Sequence, residues 1–310
     1  MSTIGITGGT GFVGTHLTSL LVSKGYKVVI FTRHLPKTTS KPPITYAHWD
    51  EDKGACDING LKQLDAVVHL AGAGIADKRL TEKRKKEIVG SRVKGTEFLI
   101  SQLKDYAPLC RTIVAASATG FYGADIQGAA SFTENAPPAN DFLAETCKQW
   151  EAASHKASAF LRTTILRFGI VLGKESGAFP QLAGPTSLGV VPILGSGTQV
   201  VSWIEVDDLA RLILFALEQE SISGTFNAVA PNPVTHRELM KTIAKVKGGI
   251  KIPVPVPAFV LRVALGELSE EVLKSCTVSA EKTLKTGFKF NYPDITNAVT
   301  AILKEKGVAV

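Results

Sequence analysis

Cysteine is sparse in this 310-residue chain, and the four present, Cys56, Cys110, Cys147 and Cys276, stand far apart with no C-x-x-C pair. That spacing argues against a zinc site or a disulfide framework and for a reducing compartment. Long hydrophobic runs are missing too: none approaches the ~20 residues of a membrane helix. An apparent strand starts within three residues of Met1, which leaves no room for a signal peptide. A cytoplasmic protein with no membrane contact and no bound metal is therefore expected. Lys and Arg outnumber Asp and Glu by 35 to 28, but the cations are scattered. Their densest run, Lys83-Arg84-Lys85-Lys86, falls in a helical stretch where a solvated face accounts for it. A nucleic-acid partner is not expected.

What is present is glycine in a telling place. Residues 7–14 read TGGTGFVG, directly after the apolar Ile4-Gly5-Ile6. Gly8, Gly11 and Gly14 have G-x-x-G-x-x-G spacing between an apparent strand and an apparent helix. Such glycines let the backbone turn tightly and approach a pyrophosphate seated on the helix N-terminus. Thr10, Phe12 and Val13 complete the candidate cofactor contacts from this loop.

Strand and helix patterns then alternate. Ile4–Thr7, Lys27–Thr32, Asp65–Leu70, Arg111–Ser117 and Thr163–Phe168 read as strands apolar on both faces. Val13, Leu17, Leu20 and Leu21 mark one face of a helix that Gly25 ends. Further helices are expected at about Thr81–Asp105, Leu143–Ser158 and Asp207–Leu217. The pattern predicts an α/β fold, a doubly wound parallel sheet of Rossmann type with a smaller C-terminal substrate or cap lobe. The dinucleotide-binding domain is expected over 1–172, completed by 200–230, with 173–199 and 231–310 as the cap. Residues 173–197, rich in Gly and Pro, predict a long loop with short helical pieces, and Val200–Val206 a strand. IPVPVP at 252–257 lacks a backbone donor at every second residue, which suits an edge or polyproline-like segment.

The end of the second strand lacks an acid. Thr32-Arg33-His34 stands where Asp or Glu would hold the 2′-hydroxyl of NAD. A guanidinium fork at Arg33 suits a 2′-phosphate, which points to NADP; a solvated loop residue is the alternative. Leu70-Ala71-Gly72, after the third strand, lets backbone pass beside a ribose.

Several segments together carry a resemblance: TGGTGFVG, HLAG, RVKGTEFL, SATGFYG, RFGIVLG and WIEVDDLA. On these the chain resembles the extended short-chain dehydrogenase/reductases, the superfamily of nucleotide-sugar epimerases and dehydratases. In closer detail it is similar to the atypical epimerase family protein group, through Ile75–Arg79, Gly90-Ser91-Arg92, Ser117–Gly123, Cys147–Glu151, Gly195–Gln199 and Trp203–Asp208. Departures from that group include Leu80 for Trp, Phe121 for Tyr, Thr198 for a basic residue and Glu205 for His. The resemblance implies an NADP site lined by Thr32, Arg33, Leu70, Ala71, Glu87, Arg92 and Val171, and dimerisation through the helices after Thr81 and Leu143. It also implies a small-molecule substrate, a nucleotide sugar or another carbonyl compound.

The superfamily's acid–base set does not carry over. Counting back from Glu151 places the lysine position at Cys147 and the tyrosine position at Leu143. The serine position falls at Ala118 and the asparagine position at Arg92. The 0, +4, +7 spacing of Leu143, Cys147 and Trp150 reads as a packed helix face, and Lys148 lies one step off it. Ser117, Thr119 and Tyr122 remain as candidate catalytic groups, with a packed aromatic as the alternative for Tyr122. His69 reads as a core residue, and Asp207 and Asp208 as helix caps. Arg92, on a stripe with Ile88, Thr96, Leu99 and Leu103, needs an anionic or polar partner, either a cofactor phosphate or a structural carboxylate. Two functions stay open: an NADP(H)-dependent oxidoreductase or epimerase-like enzyme, and a non-catalytic NADP(H)-binding sensor or regulatory protein.

Overall fold

The computed structural model describes residues 2–36 and 42–304; residues 1, 37–41 and 305–310, which the expected domain ranges include, lie outside the described residues. The chain opens with β1 (Thr3–Thr7), α1 (Phe12–Ser23), β2 (Lys27–Thr32), β3 (Ile44–Asp50), β4 (Ala55–Cys56), α2 (Ile58–Lys62) and β5 (Ala66–His69). It continues through α3 (Glu82–Tyr106), β6 (Thr112–Ala118), α4 (Phe142–His155), β7 (Arg162–Phe168) and β8 (Ile170–Leu172). Then come α5 (Ala178–Ser187), β9 (Val190–Leu194), β10 (Val200–Val201), β11 (Trp203–Glu205), α6 (Val206–Glu218) and β12 (Gly224–Ala228). The last part holds β13 (Val234–Thr235), α7 (His236–Lys247), β14 (Ile252–Val256), α8 (Ala258–Leu265), α9 (Leu268–Leu273), α10 (Glu281–Lys285) and α11 (Ile295–Lys304).

Eight strands form one sheet in the order β12-β7-β6-β5-β1-β2-β3-β4. Every pairing is parallel except β3 with β4. The strand order reverses between β1 and β5, so the loops that leave these two strands face one another across a crevice. In open α/β sheets this is where ligands bind.

Burial on both faces explains why the strands read as near-continuous apolar runs. Ile4, Ile6, Val28, Ile30 and Val68 pack with Leu17 and Leu21 of α1 and Leu209, Leu212 and Ile213 of α6. On the other face Val29, Phe31, Val67 and Ile113 pack with Leu61 and with Leu99 and Leu103 of α3. Each such Leu or Ile, removed from water, contributes about 1.5–3 kcal/mol before conformational entropy is set against it. Among the described residues no helix is long and apolar enough to cross a membrane.

A third core belongs to the cap. Phe179, Ile193, Trp203, Leu239, Met240 and Ile243 meet Ile295, Val299 and Ile302 of the last helix. IPVPVP is an edge: β14 pairs only with β9, in a two-stranded parallel sheet. The Gly- and Pro-rich stretch holds α5 and β9, more regular structure than short helical pieces. The strand expected over Val200–Val206 is divided. Val200-Val201 pairs with β13 and Trp203–Glu205 with β8. Ser202 breaks the run because its Oγ donates to the Cys276 carbonyl at 2.8 Å and accepts from the Val278 amide at 2.9 Å, tying the cap segment to the strand.

The capping expectation at α6 is corrected. Glu205 is the cap: its carboxylate accepts from the amides of Asp207 and Asp208 at 2.7 and 3.0 Å. Asp207 instead binds His16 of α1 at 2.8 Å, and Asp208 accepts from Arg211 and from the amides of Asn291 and Tyr292. Burial, with Asp207 beside it, pushes the Glu205 carboxyl up to about 8. A folded-state pKa raised above the unfolded value gives a contribution complete in acid and lost as pH rises through about 8. Glu205→Gln keeps an oxygen acceptor for the cap without the charge. Urea unfolding should therefore find wild type losing stability relative to Glu205→Gln by at least about 1 kcal/mol between pH 5 and 9. Parallel pH profiles would remove Glu205 as the titrating group.

Candidate functional site

The crevice at the switch point is built by glycines that have no room for a side chain. Gly8 has φ +72°, and a Cβ there would lie 2.8 Å from the Leu70 carbonyl carbon. A Cβ on Gly14 would lie 2.4 Å from the Gly8 oxygen. The turn closes with the Gly11 amide donating to the Gly8 carbonyl at 3.0 Å. Gly11 caps α1 with no side-chain bond, and the first turn of α1 carries no acid. No side chain caps its first amides, and with the close approach of residues 8 and 70 the turn forms a cradle that fits a pyrophosphate.

Phe12, at the first position of α1, fills the space beside Gly173 and Gly177, where a Cβ would come within 2.5 and 3.5 Å of its ring. The loop after β8 is thereby held against the cradle, with Val171 half-buried beside it. Thr32 closes β2 half-buried and Arg33 follows exposed. At the end of β5, Gly72 abuts Arg92, whose Cζ would lie 3.3 Å from a Cβ there.

Arg92 has no ion pair among the described residues. Its Nη1 donates to the Ala73 and Ile88 carbonyls at 2.9 and 3.3 Å, and its guanidinium lies 5.0 Å from the Trp150 ring centroid. Of the two partners expected for it, the structural carboxylate is not there. Glu87 is engaged elsewhere, paired with Arg84 at 2.7 Å and half-exposed. Burial lowers the Arg92 pKa, as it does for any cation that lacks a counter-charge.

The three candidate hydroxyls separate. Ser117 donates to Glu151 at 2.6 Å. Glu151 also receives Arg167 in a two-pronged pair at 2.7 and 2.8 Å. Arg167 donates onward to the Tyr122 hydroxyl at 2.8 Å, and Tyr122 donates to Asn227 at 2.6 Å. Tyr122 is 2% exposed, stacked on Phe132, and burial pushes its phenol up to about 12. Ser117 and Tyr122 are thus each hydrogen-bonded within the fold, and Tyr122 packs on Phe132. Thr119 differs, because it lines a cavity.

That cavity, about 430 Å³, lies between the sheet's C-terminal edge and the cap, lined by Thr119, Gly120, Ile170, Leu182, Leu194, Val201, His236, Leu265 and Lys274 among others. Two of these residues come from the C-terminal ends of sheet strands: Thr119 directly follows β6, and Ile170 follows β7. Leu143, Cys147 and Trp150 are all buried, as their spacing predicts, and burial pushes the Cys147 thiol up to about 11. Lys148 pairs with Glu145 on the surface. His69 is fully buried between Thr7 and Thr96, at 2.6 and 2.9 Å, and desolvation pushes it down to about 4, so it is a neutral core residue.

Comparison with known proteins places this architecture. Residues 4–228 match the family model for the NAD-dependent epimerase/dehydratase family. The chain belongs to that family. Residues 256–302 match a second model, a domain of unknown function. The chain is 37% identical over 305 residues to the epimerase family protein YfhF of Bacillus subtilis, covering 98% of each chain. It is similar to the crystal structure of human epimerase family protein SDR39U1 with NADPH, at TM-score 0.85 and 30% identity, covering 97% of this chain and 98% of that one. The UDP-glucuronic acid 4-epimerase of Bacillus cereus, solved with UDP-glucuronic acid and NAD, shares the fold at TM-score 0.76 and 19% identity over 97% of each chain.

Within the family frame, two features of the site escape the sequence. The Arg167–Glu151 pair sits in segments singled out only as motifs, and its signal is weak: one Arg near the end of a buried strand and one Glu on a helix of mixed polarity. His236 gives no signal, because its surroundings arise only when α7 packs against α5 and β9. Removing one member of a buried pair strands the other charge. Arg167→Met should lower stability by about 3–5 kcal/mol, read by urea unfolding, and Glu151→Gln added to it should restore part of the loss. A loss under 1 kcal/mol would show the pair to be dispensable.

Proposed function

We propose that this chain binds NADP(H) and acts as an NADP(H)-dependent oxidoreductase on a small carbonyl compound held in the cap cavity. The observation that carries the reading is placement: Thr119 and Ile170, which line the cavity, directly follow β6 and β7, at the same end of the sheet from which the glycine loop leaves β1. The human relative solved with NADPH supports the choice of cofactor. When bound, the nicotinamide supplies or accepts a hydride.

The chain's own residues would do the rest. The amides of Gly11–Val13 and the close approach of Gly8 hold the pyrophosphate. Arg33 faces solvent at the end of β2, free of any acid that would favour the 2′-hydroxyl, and it takes the 2′-phosphate. Arg92, buried beside Gly72 without a counter-charge, fixes the adjoining part of the cofactor by charge and stacks on Trp150. Thr119 donates a hydrogen bond to the substrate carbonyl, and the cap excludes bulk water.

A second reading has its own observation. Ala118, Leu143, Cys147 and Arg92 stand at the four usual acid–base positions, and Ser117 and Tyr122 are bound up in the fold. A protein that binds NADP(H) without turnover, and regulates a partner by cofactor occupancy, fits those facts. Following nicotinamide absorbance while ketones, aldehydes and enones are offered separates the two. Consumption of NADPH establishes the oxidoreductase; tight NADPH binding without turnover across the panel moves the weight to the regulator.

The cofactor assignment makes separate predictions for calorimetry. Arg33→Ala should weaken NADPH about tenfold while leaving NADH unchanged, and Arg92→Met should weaken both by about tenfold. Unchanged NADPH affinity in either variant removes that arginine from the site.

A further inference from the structure

The cap cavity is walled by Ile170, Leu182, Pro192, Leu194, Val201 and Leu239, and its charged residues are Glu271 and Lys274. Lys274 is not available to an anion. It pairs with Glu271 at 2.7 Å and with Asp141 at 3.4 Å, so carboxylates outnumber it. A nucleoside diphosphate would bring at least two negative charges to this wall, and none of its lining residues offers a free cation. Burying such charges unpaired costs several kcal/mol each.

One polar group in the wall is unsatisfied. His236 is 4% exposed, and neither Nδ1 nor Nε2 has a hydrogen-bond partner among the described residues. Buried imidazoles nearly always place one donor and one acceptor. The backbone here is fixed independently of the ring: Thr235 and Glu238 form a capping box, and the His236 amide donates to the Gln199 carbonyl at 2.9 Å. The ring is held at the cavity with its hydrogen bonds unmade. Burial pushes it down to about 4, so it is neutral near pH 7 and offers one N–H and one lone pair.

The geometry points to an uncharged, mostly apolar small molecule as the ligand of this cavity, its one hydroxyl or carbonyl oxygen meeting the His236 imidazole. The apolar walls supply affinity, and the imidazole supplies orientation. This deepens the functional reading above by naming the substrate class, and it excludes a nucleotide sugar from the cavity.

The test uses the full-length protein, with and without NADPH. The uncharged fluorophore N-phenyl-1-naphthylamine reports occupancy, and 1-tetralone and tetralin, the same bicycle with and without a carbonyl, displace it. Wild type should bind the fluorophore saturably and prefer tetralone by about tenfold, the loss expected when a buried group goes unpaired. His236→Phe should erase that preference and leave tetralin binding unchanged. Ala178→Trp, at a half-buried wall position, should abolish binding while the melting temperature stays within a few degrees of wild type. Millimolar UDP-glucose should displace nothing. Displacement by UDP-glucose, unaltered fluorophore binding in Ala178→Trp, or a tetralone preference that survives in His236→Phe would each overturn the inference. Turnover is read separately by NADPH absorbance. Apolar binding without NADPH consumption sinks the oxidoreductase reading and leaves the ligand class standing. Consumption of NADPH with UDP-glucose, and no apolar binding, does the reverse.

Discussion

A guanidinium and a carboxylate taken out of water together lose several kcal/mol of hydration each, and their mutual attraction offsets this only when the geometry is good and the remaining donors and acceptors are used. Arg167 and Glu151 meet both conditions. Two parallel bonds join them, Ser117 occupies Glu151, Tyr122 and the Glu134 carbonyl occupy Arg167, and the Phe121 ring centroid lies 3.5 Å from the guanidinium. The cluster joins α4 to β7, to the end of β6 and the turn after it, and, through Tyr122 and Asn227, to β12. Asn227 extends it, its side-chain amide donating to the Ser279 carbonyl and its backbone N–H to the Glu134 carboxylate. The outer strands of the sheet and the start of the C-terminal segment are thus locked to one buried charge pair.

That arrangement bears directly on chemistry. The hydroxyls that lie where an acid–base set belongs are committed to holding the sheet edge. A phenol already bonded to an asparagine and an arginine, and shifted towards the neutral form, is a poor proton shuttle. The same commitment leaves Thr119 as the hydroxyl of the candidate three that reaches the cavity. Beside Thr119 the structure offers a glycine cradle, an arginine with no counter-charge among the described residues, and an apolar chamber with an imidazole whose hydrogen bonds are unmade.

Much of the frame is legible in local pattern alone. The glycine loop stands out by its spacing, the strands at 3–7, 27–32, 66–69, 112–118 and 162–168 by continuous apolar runs, and the main helices by apolar positions at period 3.6. β3 is not legible in this way. In Ile44–Asp50 each face mixes apolar with polar side chains, Ile44 and Tyr46 with His48 and Asp50, and Ala47 and Trp49 with Thr45, so neither face reads as a run. β12 is hidden for a related reason: GTFNA holds Asn227, whose burial depends on Tyr122, 105 positions away. The Asp207-Asp208 cap fails because both lie inside the first turn of α6, so the residue before the helix, Glu205, is the one placed to accept their amides. His236 and the Arg92 environment depend on which segments fold over them, and no window of sequence contains that.

The cofactor crevice and the cavity are also joined through the cap. Arg79, in the segment that leaves Gly72, donates to the Val263 and Ala264 carbonyls at the end of α8, and Lys85 of α3 pairs with Glu267 at 2.7 Å. α8 buries only Leu261 and leaves Phe259 and Val263 exposed, so apolar packing does little to hold it. A helix with few buried contacts has low local stability, and polar latches then set its position. Leu265, at its end, and Val272, in the next helix, are both in the cavity wall. Arg84 fixes the other side of the latch segment, donating to the Gly74 carbonyl and pairing with Asp77 and Glu87. The contacts of Arg79 and Lys85 thus tie the backbone that follows β5 and the start of α3 to the end of α8, which carries Leu265 of the cavity wall.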